Sequence, residues 1–173
     1  GTLAPFLVAP PRQVQPEKVV HFFHLPAHAR GYYIEAVKFS HPPEDFSKIP
    51  KVRLAPGKTG PADVIAAGRA HYEKSLFKMW AELERSANAL TVRTRGVTAV
   101  RVFVMDGMFD LSRPVTLHFG QRSWTGRVAP SARCMLTHYA ETRDATGVVV
   151  NEVDLDALGR ASVRYGPAGA GAK

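Results

Sequence analysis

The sequence predicts an α+β protein that is mainly β, with an antiparallel, sandwich-like sheet that carries two helices at about residues 61–86 and 131–142. Short runs of alternating apolar and polar residues fill most of the chain and are separated by turns, which is typical of strands with one buried face. Two segments change to apolar residues at steps of three and four, the spacing of one helix face. Together these patterns favour one β-rich domain.

The composition fits a single folded domain of 173 residues. Hydrophobic residues make up 45% and charged residues 22%, which is enough apolar material for a core and argues against disorder. The net charge of +8 suits a polyanion such as nucleic acid or an anionic glycan, but the basic residues are scattered, so a solvated basic face is the simpler interpretation. A single cysteine, Cys134, excludes an intrachain disulfide, and no apolar run reaches the roughly 18 residues of a membrane span.

Three segments are expected along the chain. A proline-rich arm over residues 1–17 favours extended conformations. A single β-rich domain is predicted over residues 18–165, with residues 61–86 as a helical insertion, and residues 166–173 are expected to form a flexible tail. The opening residues are too short and too proline-rich for a signal peptide, so an exported protein would already have lost its signal.

The front half of the chain predicts two strands and the first helix. The β-branched and aromatic runs KVVHFFH and RGYYIEAVKF predict the strands. After a proline-rich connection, Gly60-Pro61 and Asp63 mark a helix start, because proline fits the first helical turn and an acid there opposes the helix dipole. The apolar stripe of this helix consists of Ile65, Gly68, Tyr72, Leu76, Met79 and Leu83.

The back half predicts more strands and the second helix. ALTVRTR and TAVRVFV are two strands joined at Gly96, and Gly120-Gln121 turns a hairpin between VTLHF and the residues around Trp124. The segment VVVNEVDL is a further strand after Gly147. The second helix has a stripe of Ala132, Met135, Leu136, Tyr139 and Ala140.

Histidine and cysteine spacing suggests two kinds of chemistry. His21, His24 and His28 are metal-ligand candidates, but on a strand the first two point to opposite faces, so the sequence favours no metal and no cofactor. Cys134 and His138 lie four apart on the second predicted helix and could form a thiolate–imidazolium pair, although a buried structural thiol is the commoner outcome.

Two further groups offer only the residue types of a site. Ser131, His138 and Asp144 are the residue types of a catalytic triad, but the chain lacks the G-x-S-x-G turn of a hydrolase. Four aspartates suggest a cation site but lack the spacing of a calcium loop, and turn chemistry explains Asp106-Gly107 better. They are Asp106, Asp110, Asp154 and Asp156.

Aromatic and basic residues supply binding candidates. Aromatic rings in strands can stack on sugars or bases, and arginines at strand spacing can contact anionic groups, although core packing and a solvated face explain the same residues. The candidates are Tyr32, Tyr33, Trp80, Trp124, Arg93, Arg95 and Arg101.

Residues 97–158 carry a recognisable order of a strand with an acidic turn, a hairpin, a helix and a last strand. The phrases D-L-x-x-P-V and G-x-V-x-x-S occur here as Asp110, Leu111, Pro114, Val115, Gly126, Val128 and Ser131. This region resembles the small β-rich domain at the C-terminal end of bacterial secreted α/β-hydrolases of the prolyl-oligopeptidase/esterase type. The hairpin departs from the family pattern, because Phe119-Gly120-Gln121 replaces its Asn-Gly turn.

The resemblance implies an accessory module, since in that family the catalytic serine lies in the preceding hydrolase domain and no catalytic residue transfers to this chain. We expect a non-catalytic interaction module of an exported hydrolase or surface assembly, secreted, periplasmic or at the cell surface. It would dock to a parent hydrolase domain, another protein or a polymer through a sheet edge or the helix at 61–86. The alternatives are a hydrolase, or fragment of one, that uses Cys134 and His138, and a basic domain that binds polyanions.

Overall fold

The computed structural model describes residues 15–43, 52–143 and 147–166. Within these ranges the chain forms ten strands in two five-stranded sheets, and two α-helices. The predicted α+β, mainly β class with two helices is therefore confirmed. Most of the proline-rich arm, Asp144 and nearly all of the predicted tail lie outside the described residues.

Sheet A contains both strands of the predicted hairpin. Its spatial order is β1 (Lys18–Phe23), β4 (Phe77–Glu84), β5 (Ala89–Arg95), β7 (Val115–Phe119) and β8 (Arg122–Gly126). Neighbouring strands are antiparallel except β5 and β7, which are parallel. The β7–β8 pairing confirms the hairpin, with Leu117 opposite Trp124.

Sheet B is antiparallel throughout. Its order is β10 (Ala161–Val163), β9 (Val149–Asp156), β6 (Val97–Met105), β3 (Ile34–Phe39) and β2 (Arg30–Gly31). The two predicted strands that meet at Gly96 are β5 and β6, so this glycine is the point where the chain leaves sheet A and enters sheet B. The buried apolar side chains of both sheets form one core.

The first helix, α1, spans Pro61–Ser75, so its predicted extent of 61–86 is wrong at the C-terminal end. Phe77–Glu84 is instead β4, in the interior of sheet A. The physical reason is a two-residue period: side chains are alternately buried and exposed along FKMWAELE, as in a strand with one face on the core. Helix α1 itself contains no buried residue.

The second helix, α2, spans Ala132–Thr142, close to the predicted 131–142. Its predicted apolar stripe is wrong, however, because Leu136 is 68% and Tyr139 57% exposed. The residues that it buries are Cys134 and His138. Helix α2 packs on β9, so the outer face of sheet B is covered here.

None of the helices within the described residues is both long and apolar enough to cross a membrane.

Candidate functional site

The outer face of sheet A presents aromatic, aliphatic and basic side chains together. Along β1 and β4, Val19, Phe23, Met79 and Ala81 point into the core, so the side chains between them point away from it. We call the resulting surface the aromatic–basic face. It consists of Val20, Phe22, Lys78, Trp80, Arg93 and Arg95.

Strand register places these side chains next to one another. Trp80 lies opposite Val20 on one side and opposite Arg93 on the other. Phe22 meets Trp80 edge to face, with ring centroids 6.4 Å apart, and the Lys78 ammonium lies 5.2 Å from the Phe22 ring centroid. A depression of about 390 Å³ lies over β1, β4 and β5 at this point.

The aromatic–basic face is uncovered and retains positive charge. Val20 is 54%, Phe22 50% and Trp80 36% exposed. At its rim Lys18 pairs with Glu82 at 2.9 Å, whereas within the described part of the chain neither Arg93 nor Arg95 has a carboxylate within ion-pair distance. Exposed apolar groups in one contiguous patch are typical of an interaction surface.

A second group of polar residues lies under α2. Cys134 and His138 are one helical turn apart, and they reach Glu152 on β9. One ligand atom from each of the three residues lies within 4.8 Å of the other two. His138 Nε2 is 2.7 Å from Glu152 Oε1 in a hydrogen bond, and the His138 ring meets Phe103 edge to face. We call this group the buried centre.

Ion pairs hold the Glu152 carboxylate in place. Arg164 Nη1 donates to Glu152 Oε2 at 2.6 Å, and Arg101 Nε lies 3.3 Å from the same oxygen. Burial alone raises the pKa of Glu152, but the hydrogen bonds from His138 and Arg164 and the charges of the two guanidiniums outweigh it, so the pKa lies below its usual value. Glu152 is therefore an anion inside the protein.

Cys134 does not have the environment of a nucleophile. Its side chain has no exposed surface, and burial, together with the negative charge of Glu152, raises the pKa of the thiol to about 11. A reactive cysteine needs the opposite shift, because the thiolate is the nucleophile. Cys134 and His138 thus converge as the alternative hydrolase hypothesis requires, but the thiol is protonated and enclosed.

The structure separates the predicted binding residues into two sets. Trp80, Arg93 and Arg95 come together on the aromatic–basic face. The others lie elsewhere, each in a separate setting: Tyr32, Tyr33, Trp124 and Arg101.

The residues of the second set mostly have structural contacts. Tyr33 is fully buried, its hydroxyl donates to the Pro16 carbonyl at 3.0 Å, and burial raises its pKa to about 12. Trp124 packs against the core, and Arg101 forms ion pairs across sheet B. Tyr32 is half exposed at the β2–β3 turn, away from the aromatic–basic face.

The three histidines of the front half are not brought together as a ligand set. His21 Nε2 bonds to the His28 carbonyl at 2.7 Å, and its ring stacks on Phe23. The ring of His24 contacts Tyr72 of α1. Among the described residues, the group of three or more potential metal ligands is the buried centre.

The remaining candidates take part in turns, caps and ion pairs. Asp110 accepts from Ser112 Oγ at 2.6 Å, a bond that lowers its pKa, and Asp156 pairs with Arg160 at 2.6 Å. Asp154 pairs with Arg101. Ser131 caps α2 by accepting from the Cys134 N–H at 3.4 Å.

Sequence reasoning missed Phe22, Val20 and Lys78 on the surface and Glu152 and Arg164 at the buried centre. Val20 and Phe22 are alternate positions of the predicted strand KVVHFFH, whereas Lys78 lies in a segment that the sequence predicts as helix. Glu152 had a signal as well, because an acid that falls between apolar residues of the strand VVVNEVDL needs a partner if it is buried. Comparison of the chain with protein-family models, curated proteins and solved structures finds no match.

Proposed function

We propose that this chain is a non-catalytic accessory module of an exported α/β-hydrolase, and that its aromatic–basic face docks onto an acidic surface of the hydrolase catalytic domain. The observation that carries the proposal is the uncovered face itself, with Phe22 and Trp80 in edge-to-face contact beside Arg93 and Arg95. The resemblance of residues 97–158 to such accessory domains supplies the choice of partner and the exported location.

The composition of the face favours a protein partner. Tryptophan, other aromatics and arginine are enriched among the residues that contribute most to protein–protein binding, and Trp80 and Arg93 are directly opposed neighbours. Arg93 and Arg95, which have no ion-pair partner among the described residues, call for carboxylates on the partner protein. A second copy of this chain fits poorly, because pairing face to face would set the same arginines against each other.

Helix α1 is the other docking element that the sequence suggested. It exposes Val64, Ile65 and part of Tyr72, and it contains no buried residue. The Tyr72 ring contacts His24, and the two most exposed side chains are aliphatic, so α1 supplies less binding energy than an aromatic pair beside arginines, and the sheet face is preferred.

The experiment first looks for the hydrolase catalytic domain that the proposal requires to be encoded beside the module, and then titrates the module with that domain, produced as a separate protein, in a calorimeter. Trp80→Ala combined with Arg93→Glu is expected to weaken binding at least tenfold, or about 1.4 kcal/mol, since it removes an aromatic anchor and reverses a charge. The matched control, Tyr139→Ala with Arg133→Glu, likewise removes an aromatic ring and reverses an arginine charge, on exposed positions of α2, and should leave binding unchanged.

Three results would contradict the proposal: no hydrolase domain encoded beside the module, no binding of that domain, or equal losses in both double variants. A different outcome would favour polyanion binding over docking to a hydrolase. The module would then bind heparin but not the hydrolase domain, its retention would fall steeply with salt, and the Trp80/Arg93 variant would not be retained.

A further inference from the structure

The buried centre combines three metal-ligand types in a small volume between α2 and sheet B. Cys134, His138 and Glu152 are 0%, 7% and 4% exposed. Sulfur, imidazole nitrogen and carboxylate oxygen are the donors that Zn²⁺ takes in proteins, and two of them project from one helix at i and i+4. We propose that these three side chains form a binding site for a soft divalent cation of the Zn²⁺ type. This inference does not depend on the proposed docking function.

The spacing of the donors suits such an ion. Tetrahedral Zn²⁺ with bonds of about 2.0–2.3 Å holds its ligand atoms about 3.3–3.5 Å apart. The three donors already lie within 4.8 Å of one another, and His138 Nε2 and Glu152 Oε1 are 2.7 Å apart. Rotations of the side chains that move these atoms by about 1 Å reach the required geometry. Among the described residues no fourth His, Cys, Asp or Glu joins the group, so the fourth position is left for a water.

An unsatisfied polar atom gives a second reason. His138 Nδ1 is buried and has no hydrogen-bond partner within the described structure. Buried polar atoms nearly always have a hydrogen-bond partner, and an exception calls for a bound water or ion. When the imidazole rotates so that one ring nitrogen binds a cation, the other ring nitrogen can form a hydrogen bond with Glu152 or with a water.

The local charge is consistent with a bound cation. The ion-paired network on the outer face of sheet B contains three carboxylates and two guanidiniums, so one negative charge is in excess. Its members are Glu35, Glu152, Asp154, Arg101 and Arg164. A divalent ion with the Cys134 thiolate adds one positive charge and neutralises the network. Binding therefore releases one proton, which passes from the thiol to solvent as the S–metal bond forms.

The ion would clamp α2 to β9. Arg101 and Arg164 contact Oε2 of Glu152 and leave Oε1 for the ion, so they orient this ligand as outer-shell groups do in metal sites. The helix is only 11 residues long and buries only Cys134 and His138, so both of its buried side chains would become ligands. The site is thus expected to stabilise the helix on the sheet.

The test uses the whole chain after treatment with a chelator. Zn²⁺ alone, at a hundredfold excess over its Kd, should raise the Tm by about 5–10 °C. Co²⁺ should produce the sulfur-to-cobalt charge-transfer absorption of a bound thiolate, and Zn²⁺ titrations in buffers of different ionisation enthalpy should show release of one proton per ion.

Cys134→Ser and His138→Gln should abolish the Tm shift, whereas His118→Gln, on the outer side of sheet A, should retain it. If a variant does not fold, the cobalt spectrum and the proton release of the unaltered chain still show whether Cys134 binds the ion. An unaltered chain that gives neither a Tm shift nor the charge-transfer absorption overturns the proposal. A Tm shift that persists in Cys134→Ser also overturns it, because the ion would then bind elsewhere.

Discussion

Gly96 has a backbone conformation and an environment that only glycine fits. Its φ is +79°, and a Cβ atom there would lie 2.7 Å from Cδ1 of Phe77 in the core. Gly96→Ala should therefore lower the free energy of unfolding by about 2–4 kcal/mol, the sum of left-handed backbone strain and a core clash. Urea denaturation measures this loss.

Gly107→Ala is the matched control for Gly96→Ala. Gly107 has a similar φ of +71°, but a Cβ atom there would meet nothing within 4 Å. Only the backbone cost remains, and the expected loss is about 1 kcal/mol. Equal losses in the two variants would show that the approach of Phe77 to Gly96 does not constrain the chain.

Single residues differ in how far the sequence reveals their role. Alternation along β5 is sufficient to place Arg93 and Arg95 on the same face of a strand, whereas the position of Trp80 depends on the assignment of β4. The role of Tyr33 depends on the carbonyl of Pro16, and that of Arg101 on Asp154, 53 positions away. Such partners are set by sheet pairing between distant segments, which residue type and local spacing do not encode.

At the scale of elements, Met79 and Ile65 test the boundary between α1 and β4. The sequence places both on one helical stripe, whereas the structure buries Met79 completely in sheet A and leaves Ile65 66% exposed. Met79→Ala should cost about 2–5 kcal/mol in unfolding free energy, and Ile65→Ala should change it by less than about 0.5 kcal/mol. Comparable losses in thermal or urea denaturation would contradict the assignment of β4 to the core.

The elements also show where periodicity is ambiguous. Leu76, Met79 and Leu83 recur at three- and four-residue steps, but Phe77, Met79, Ala81 and Leu83 alternate equally well. This segment forms a strand because it pairs with β1 on one side and with β5 on the other, and such tertiary pairing cannot be read from local spacing. The approximate bounds of α2 were predictable from the change to apolar residues at steps of three and four. Its buried face was not, because that face consists of Cys134 and His138 rather than large apolar residues.

At the scale of the whole molecule, the two sheets are unequal. They share one core, and α2 with its ion pairs covers part of the outer face of sheet B. The outer face of sheet A keeps exposed aromatic groups, together with Arg93 and Arg95, which form no ion pair with the part of the chain that the structure describes. The sequence predicts the β-rich class and the hairpin from local alternation, but which face remains bare follows from the placement of α2 and from strand order.

The two tryptophans of this chain test directly whether the aromatic–basic face docks onto the hydrolase domain, as we propose. Trp80 lies on that face, and Trp124 packs against the core, so Trp124 is an internal control in the same molecule. Oxidation by hydroxyl radicals, followed by mass spectrometry, measures the reactivity of each indole with and without the hydrolase domain. We predict that the bound partner lowers Trp80 oxidation severalfold and leaves Trp124 unchanged. Unaltered oxidation of Trp80 in a saturated complex would contradict the account.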